Sequence, residues 1–175
     1  MSSTEVQRPP NHAVTAWGVL GFTAILGQAI YRLTPLALHP IRHGMTGFQV
    51  GLYVVWVVWM WWSEGYRAFQ KQLAPRFVQR AVWLARDRRP LYVALAPIFC
   101  LGLFHARRRR LIVSWSISLG VICLIIAVRF LSMPWRGIID GGVVVGLAWG
   151  VGWILYYFVV ALAGGEIAAD PELPE

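Results

Sequence analysis

Gly137 to Ala163 reads GIIDGGVVVGLAWGVGWILYYFVVALA, twenty-seven residues in which Asp140 carries the only charge. As an α-helix at about 1.5 Å per residue it measures about 40 Å, against a hydrocarbon core of roughly 30 Å. Such a run implies a helix that spans a bilayer with tilt. Working back along the chain, Leu111–Val128 is a second long apolar run, entered directly from Arg107–Arg110. The turn from Arg129 to Arg136, with Pro134, joins the two spans.

Composition agrees with lipid as the main solvent. Hydrophobic residues make up 58% of the 175-residue chain and charged residues 14%, where an average soluble domain carries roughly 25% charged residues. Many of the ten tryptophans fall near the ends of apolar runs, where indole rings favour the headgroup region. Val14–Tyr31 is long enough for a further span. With no basic leader and no small-residue cleavage site, it is expected to be a retained helix rather than a signal peptide. Arg32–Gly44 contains Pro35 and Pro40 and is expected to be a loop, because internal prolines break helices. Met45–Trp62 supplies another span and ends in Trp56, Trp59, Trp61 and Trp62.

Residues 64–89 have a different character. Tyr66, Phe69, Leu73, Phe77, Val78, Ala81 and Val82 recur at helical spacing, with basic and amide side chains between them. This amphipathic pattern predicts a helix lying in the membrane interface, broken near Pro75. The apolar core of residues 90–106, Leu91–Phe104, is only fourteen residues long and is interrupted by Pro97 and Gly102. That length suits a re-entrant segment or a short fifth span. Arginine clusters flank it on both sides, and the positive-inside rule favours the re-entrant form, which keeps both clusters in the cytoplasm. The expected fold class is therefore an all-α integral membrane protein with four transmembrane helices (14–31, 45–62, 111–128, 137–163). A cytoplasmic amphipathic helix and the segment 90–106 complete one membrane domain, 14–163. Disordered tails are expected at 1–13, polar, and at 164–175, acidic.

Charge distribution sets orientation and partners. Eleven of sixteen basic residues lie between Arg67 and Arg110, beside apolar segments, so they read as topogenic and lipid-facing rather than nucleic-acid-binding. Both termini are then expected in the cytoplasm of a cell (inner) membrane protein. Fifteen of those sixteen are arginine, a bias that suggests a GC-rich bacterial genome. Cys100 and Cys123 lie inside apolar runs and suit packing; with no matching histidine spacing they make no zinc site.

Few residues suggest chemistry. Gly142, Gly146 and Gly150 share one helix face, with Gly137 and Gly141 beginning a second row and Gly47-x-x-x-Gly51 in an earlier span. Small residues at this spacing let helix backbones approach, within one chain or in a homo-oligomer or membrane-protein partner. Asp140 is an ionisable residue within a span, yet Arg136 stands one turn before it, so a structural ion pair competes with a functional carboxylate. Glu64, Arg67, His105, Arg107, Arg108, Arg109 and Arg110 could form a basic, aromatic-lined site for an anionic headgroup, since guanidinium forks suit oxyanions. Boundary salt bridges are the simpler reading. His39 and His43 would share a face if helical, but Pro40 argues against that. No histidine lies centrally in an expected span, so no haem, other cofactor or metal is expected. Gln28 is expected to hydrogen-bond a neighbouring helix. No signature of a known enzyme occurs in a credible context. The leading expectation is a non-enzymatic membrane packing, scaffold or lipid-associated component. The alternative is an enzyme or transporter acting on an anionic, lipid-like substrate at the cytoplasmic interface.

Overall fold

A computed structural model describes residues 11–87 and 90–171. Residues 1–10 of the expected N-terminal tail, Arg88, Arg89, and 172–175 with Glu172 and Glu175 lie outside the described residues. Most of the described chain is helical, with α1 (His12–His43), α2 (Gly47–Met60), a π-helical segment (Trp61–Leu73) and α3 (Ala74–Asp87). Two short helices follow, α4 (Pro90–Ala94) and α5 (Ala96–Cys100), then α6 (Arg108–Arg129) and α7 (Trp135–Leu162). Three of these, α1, α6 and α7, are long and apolar enough to cross a membrane.

The first departure from the sequence reading is α1. Pro35 and Pro40 lie inside it, so Arg32–Gly44 is largely helix rather than loop. An internal proline costs about 3 kcal/mol through its missing N–H and its steric clash. Tertiary packing offsets that cost. The buried Pro40 ring lies against Gly137, in the space a Cβ would take, and a Cβ there would also meet the Leu36 carbonyl oxygen at 2.6 Å. The bend between α1 and α2 is three residues, Gly44 to Thr46, with Gly44 at φ 87°. Thr46 then caps α2: its hydroxyl accepts from the Gln49 N–H at 3.4 Å, and the Gln49 side chain accepts from the Thr46 N–H at 3.0 Å.

A second departure concerns residues 64–89. They do not form a separate helix; helix runs without interruption from Gly47 to Asp87. Its middle is widened to i→i+5 bonding, ending with the Ala74 N–H on the Phe69 carbonyl. Pro75 has no N–H to give, and the return to α-helical bonding falls beside it. The apolar arc of α3 is buried in protein. Phe77, Val78, Ala81 and Leu84 pack with Val19, Phe22, Ala96, Phe99, Ile154 and Phe158 in the main core.

Side-chain pairings fix the direction of the helices. Tyr53 meets Gly141, Trp56 and Met60 meet Gly142, Glu64 meets Gly146, and Phe69 meets Gly150, so α2 and the π segment run parallel to α7. Pro40 lies beside Gly137, while Phe22 stacks on Phe77 at 4.8 Å and the Asn11 N–H reaches the Ala85 carbonyl at 3.2 Å. Hence α1 runs antiparallel to both. One end of the bundle carries the short links 44–46 and 130–134. The other end carries the start of α1, α3, α4, α5, the start of α6 and the chain from Gly164 to Pro171. Segment 90–106 begins and finishes at this second end. The described part of the acidic tail, 164–171, is ordered against it: Ile167 is buried in the core, and Asp170 pairs with Arg107 at 3.3 Å.

Candidate functional site

At the cap end the organising residue is Arg80, which is 3% exposed. Its guanidinium donates to the carbonyls of Phe99 (2.9 Å), Pro171 (2.8 Å), Phe104 (3.2 Å) and His105 (3.0 Å), and lies 4.5 Å from the Phe99 ring centroid. A buried cation is tolerated when its donors are met this way. Arg80 thereby ties α3, the 99–105 turn and the C-terminal stretch into one unit. Around it Trp83, Tyr92, Phe99, Phe104 and His105 form a continuous ring cluster, with centroid separations of 5.1 Å for Tyr92–His105 and 5.8 Å for Trp83–Phe99. The amphipathic reading placed Arg80 on the polar face. A usable signal was its register, three residues after Phe77 and four before Leu84, at the border of the apolar arc. Burial pushes the neighbouring Cys100 thiol up to about 12, with the Arg80 charge opposing the shift.

The anion-site residues expected from sequence do not gather into one cluster. Glu64 is exposed and faces α7 at Gly146, where a Cβ would stand 3.2 Å from the Glu64 Cβ. Arg67 is exposed and its guanidinium lies 5.1 Å above the Trp62 ring. His105 belongs to the ring cluster, at φ 49°. Arg107 pairs with Asp170, Arg108 and Arg109 are exposed in the first turn of α6, and Arg110 packs by Gly102. Lys71 stands with its ammonium 4.6 Å over the Tyr66 ring. The π segment therefore presents two cation–aromatic pairs in a row, Arg67 on Trp62 and Lys71 on Tyr66. The sequence reading named Trp62, Tyr66 and Arg67 but did not pair rings with cations.

Gly137, Gly141, Gly142, Gly146 and Gly150 of α7 serve contacts within the chain. A Cβ at Gly142 would come within 2.6 Å of Trp56 Nε1 and 2.7 Å of Met60, and Gly150 abuts the Phe69 ring. Trp56 Nε1 donates to the Ile139 carbonyl at 3.2 Å. Nothing approaches Gly47 or Gly51 within 4 Å of a Cβ. Near the link end, Arg136 and Asp140 form the anticipated i,i+4 pair at 3.6 Å, with Asp140 4% exposed. Asp140 Oδ2, Arg136 Nε and His39 Nδ1 are all buried without a hydrogen-bond partner among the described residues. His39 and His43 do share a helix face and stack at 3.9 Å, because α1 continues through Pro40. Among the described residues no group of three or more histidine, cysteine or acidic side chains is arranged to hold a metal ion.

No family model matches the chain, and neither a curated protein nor a solved structure is significantly similar to it.

Proposed function

We propose that the chain is a multi-pass, non-enzymatic cell-membrane protein whose packed bundle carries a folded basic cap on the cytoplasmic side, in contact with anionic lipid. One observation carries the reading: segment 90–106 leaves and returns at one end of the bundle, so Arg86 before it and Arg107 to Arg110 after it lie at the same end instead of on opposite sides. Under the positive-inside rule that end is cytoplasmic, and both termini accompany it. Trp61 meets Trp149 edge-to-face at 5.5 Å, and Trp153, Tyr156 and Tyr157 follow within two turns of α7. Tyr156 and Tyr157, about 30 Å along α7 from Trp135, suit the headgroup level on the cap side, with α2 in the fourth span. The separation of Glu64 and Arg67 from His105 and the arginines of α6 favours this reading over a catalytic site built from those groups.

The test is stability as a function of lipid charge. In nanodiscs of phosphatidylcholine with 30% phosphatidylglycerol, the unfolding temperature should exceed that in phosphatidylcholine alone, and the gain should shrink as salt rises. Equal unfolding temperatures in the two lipids would remove the lipid-associated role.

A further inference from the structure

We propose that His39, Arg136 and Asp140 form a proton-binding site with one bridging water in the α1–α7 seam, reached from the link end past His43. The site lies between two helices of one chain, so it stands whichever way the bundle faces.

Register brings the three side chains together. Helices α1 and α7 run antiparallel and touch where the Pro40 ring fills the space beside Gly137. In two antiparallel right-handed helices, the residues just before a touching pair leave it on the same side. His39 and Arg136 therefore share one side of the seam, and Asp140, three positions after Gly137, turns to that side as well. Gly141 and Gly142 turn to the other side, where Tyr53 and Trp56 of α2 meet them. The Tyr53 hydroxyl donates there to the Ala37 carbonyl at 3.4 Å. His43 stacks on His39 at 3.9 Å and is exposed beside the 44–46 link, so the imidazoles run from solvent inward. Arg32 and Arg42 of α1 and Arg129 of α6 are exposed, and the 130–134 link carries no charged side chain.

The unmet atoms define the occupant. Asp140 is 4% exposed, and its Oδ2 stands 3.6 Å from Arg136 Nε, too far for a hydrogen bond. Those two atoms and His39 Nδ1 are buried with no hydrogen-bond partner among the described residues. A metal cation placed here would face the Arg136 guanidinium, and an anion the Asp140 carboxylate. Water both donates and accepts, and three polar partners suffice to hold one. It accepts from Arg136 Nε–H and donates to Asp140 Oδ2 and to the Nδ1 lone pair of neutral His39. When a hydronium at the link end gives up its proton, the proton bonds to that lone pair and water is left behind. The His39 Nδ1–H then donates toward Asp140, the bridging water turns, and the net charge of the three groups goes from zero to +1. Imidazole is the side chain suited to this change near neutral pH. Two imidazolium rings 3.9 Å apart repel, so the stacked pair holds one proton, on the ring beside the carboxylate.

The experiment is infrared difference spectroscopy of the full chain in phosphatidylcholine vesicles, taken between pH 8 and pH 5. The wild type should show a shifted carboxylate stretch that Asp140→Asn removes, and a water O–H stretch that moves in heavy-oxygen water. His39→Gln keeps a neutral hydrogen-bonding side chain and should abolish the carboxylate shift, with helix content unchanged by circular dichroism. His43→Gln should retain it. The His39→Gln comparison decides the matter even where Asp140→Asn does not fold. A carboxylate shift that persists in His39→Gln, or none in the wild type, overturns the site. Loss of the shift in His43→Gln alone, or an O–H stretch indifferent to heavy-oxygen water, overturns it as well.

Discussion

Helices α6 and α7 have similar claims to the membrane but are held in opposite ways. Both exceed twenty residues and are apolar enough to cross a membrane. Yet α7 buries nine residues, five of them glycine, against α1, α2 and the π segment, while α6 buries only Ser114 and Val128. The glycine rows of α7 face bulky partners in register, Tyr53, Trp56, Met60 and Phe69. Gly120 on α6 faces nothing within 4 Å of where a Cβ would stand. The attachment of α6 is at its entry, where Ser114 Oγ donates to the Leu101 carbonyl at 3.2 Å and Trp115 Nε1 to the Leu103 carbonyl at 3.0 Å. Those carbonyls belong to the turn that Arg80 secures. Hydropathy decides which helices enter lipid; facing small and large residues decide which of them pack.

The largest expected effect comes from cutting the tie that serves α6. Arg80→Met leaves buried carbonyls unmet and should cost about 3–5 kcal/mol in reversible unfolding. Hydrogen exchange should accelerate through 99–106 and the first turns of α6 while the centre of α7 stays protected. Uniform loss of protection would break the distinction. Next, Gly142→Leu drives a side chain into Trp56 and Met60 and should cost about 1–3 kcal/mol. Gly120→Leu on α6 should change stability by less than about 0.5 kcal/mol in the same assay. Equal costs would mean that α6 is packed as tightly as α7.

The third effect depends on pH. The Cys100 thiol is held at about 12 against an ordinary 9.0, so folding favours its neutral form. Its contribution is complete below about pH 9 and is lost as pH rises from 9 to 12, at about 1.4 kcal/mol per unit. Cys100→Ala should flatten that slope in unfolding free energies measured from pH 8 to 11; an unchanged slope would assign it to other groups. Ser114→Ala should cost about 1 kcal/mol, read as faster exchange at the start of α6 alone.

Much of this contrast was legible in the chain. The apolar runs announced α1, α6 and α7, and the glycine spacing announced that α7 packs closely. The spacing could not name the partners, because the facing residues lie some eighty positions away and meet α7 only after α2 runs on through the π segment. Pro35 and Pro40 hid the full length of α1, since local propensity argued for a break and only the contact of Pro40 with Gly137 offsets it. The amphipathic stretch 64–89 was visible, but its apolar arc reads the same whether lipid or protein covers it. Arg80 was hidden for a similar reason: among so many basic residues nothing local distinguishes the buried one. Arg136 and Asp140, four apart on one helix, were readable because their contact is local.

The central claim is that residues 90–106 return to the side from which they start. It is tested by single cysteines at Arg86, Arg109 and Ser132, in a chain with Cys100 and Cys123 replaced by alanine. An impermeant maleimide is applied to sealed vesicles of known orientation. Positions 86 and 109 should label from the same face and position 132 from the opposite one. Labelling of 86 and 109 from opposite faces would make 90–106 a crossing segment and contradict the cap.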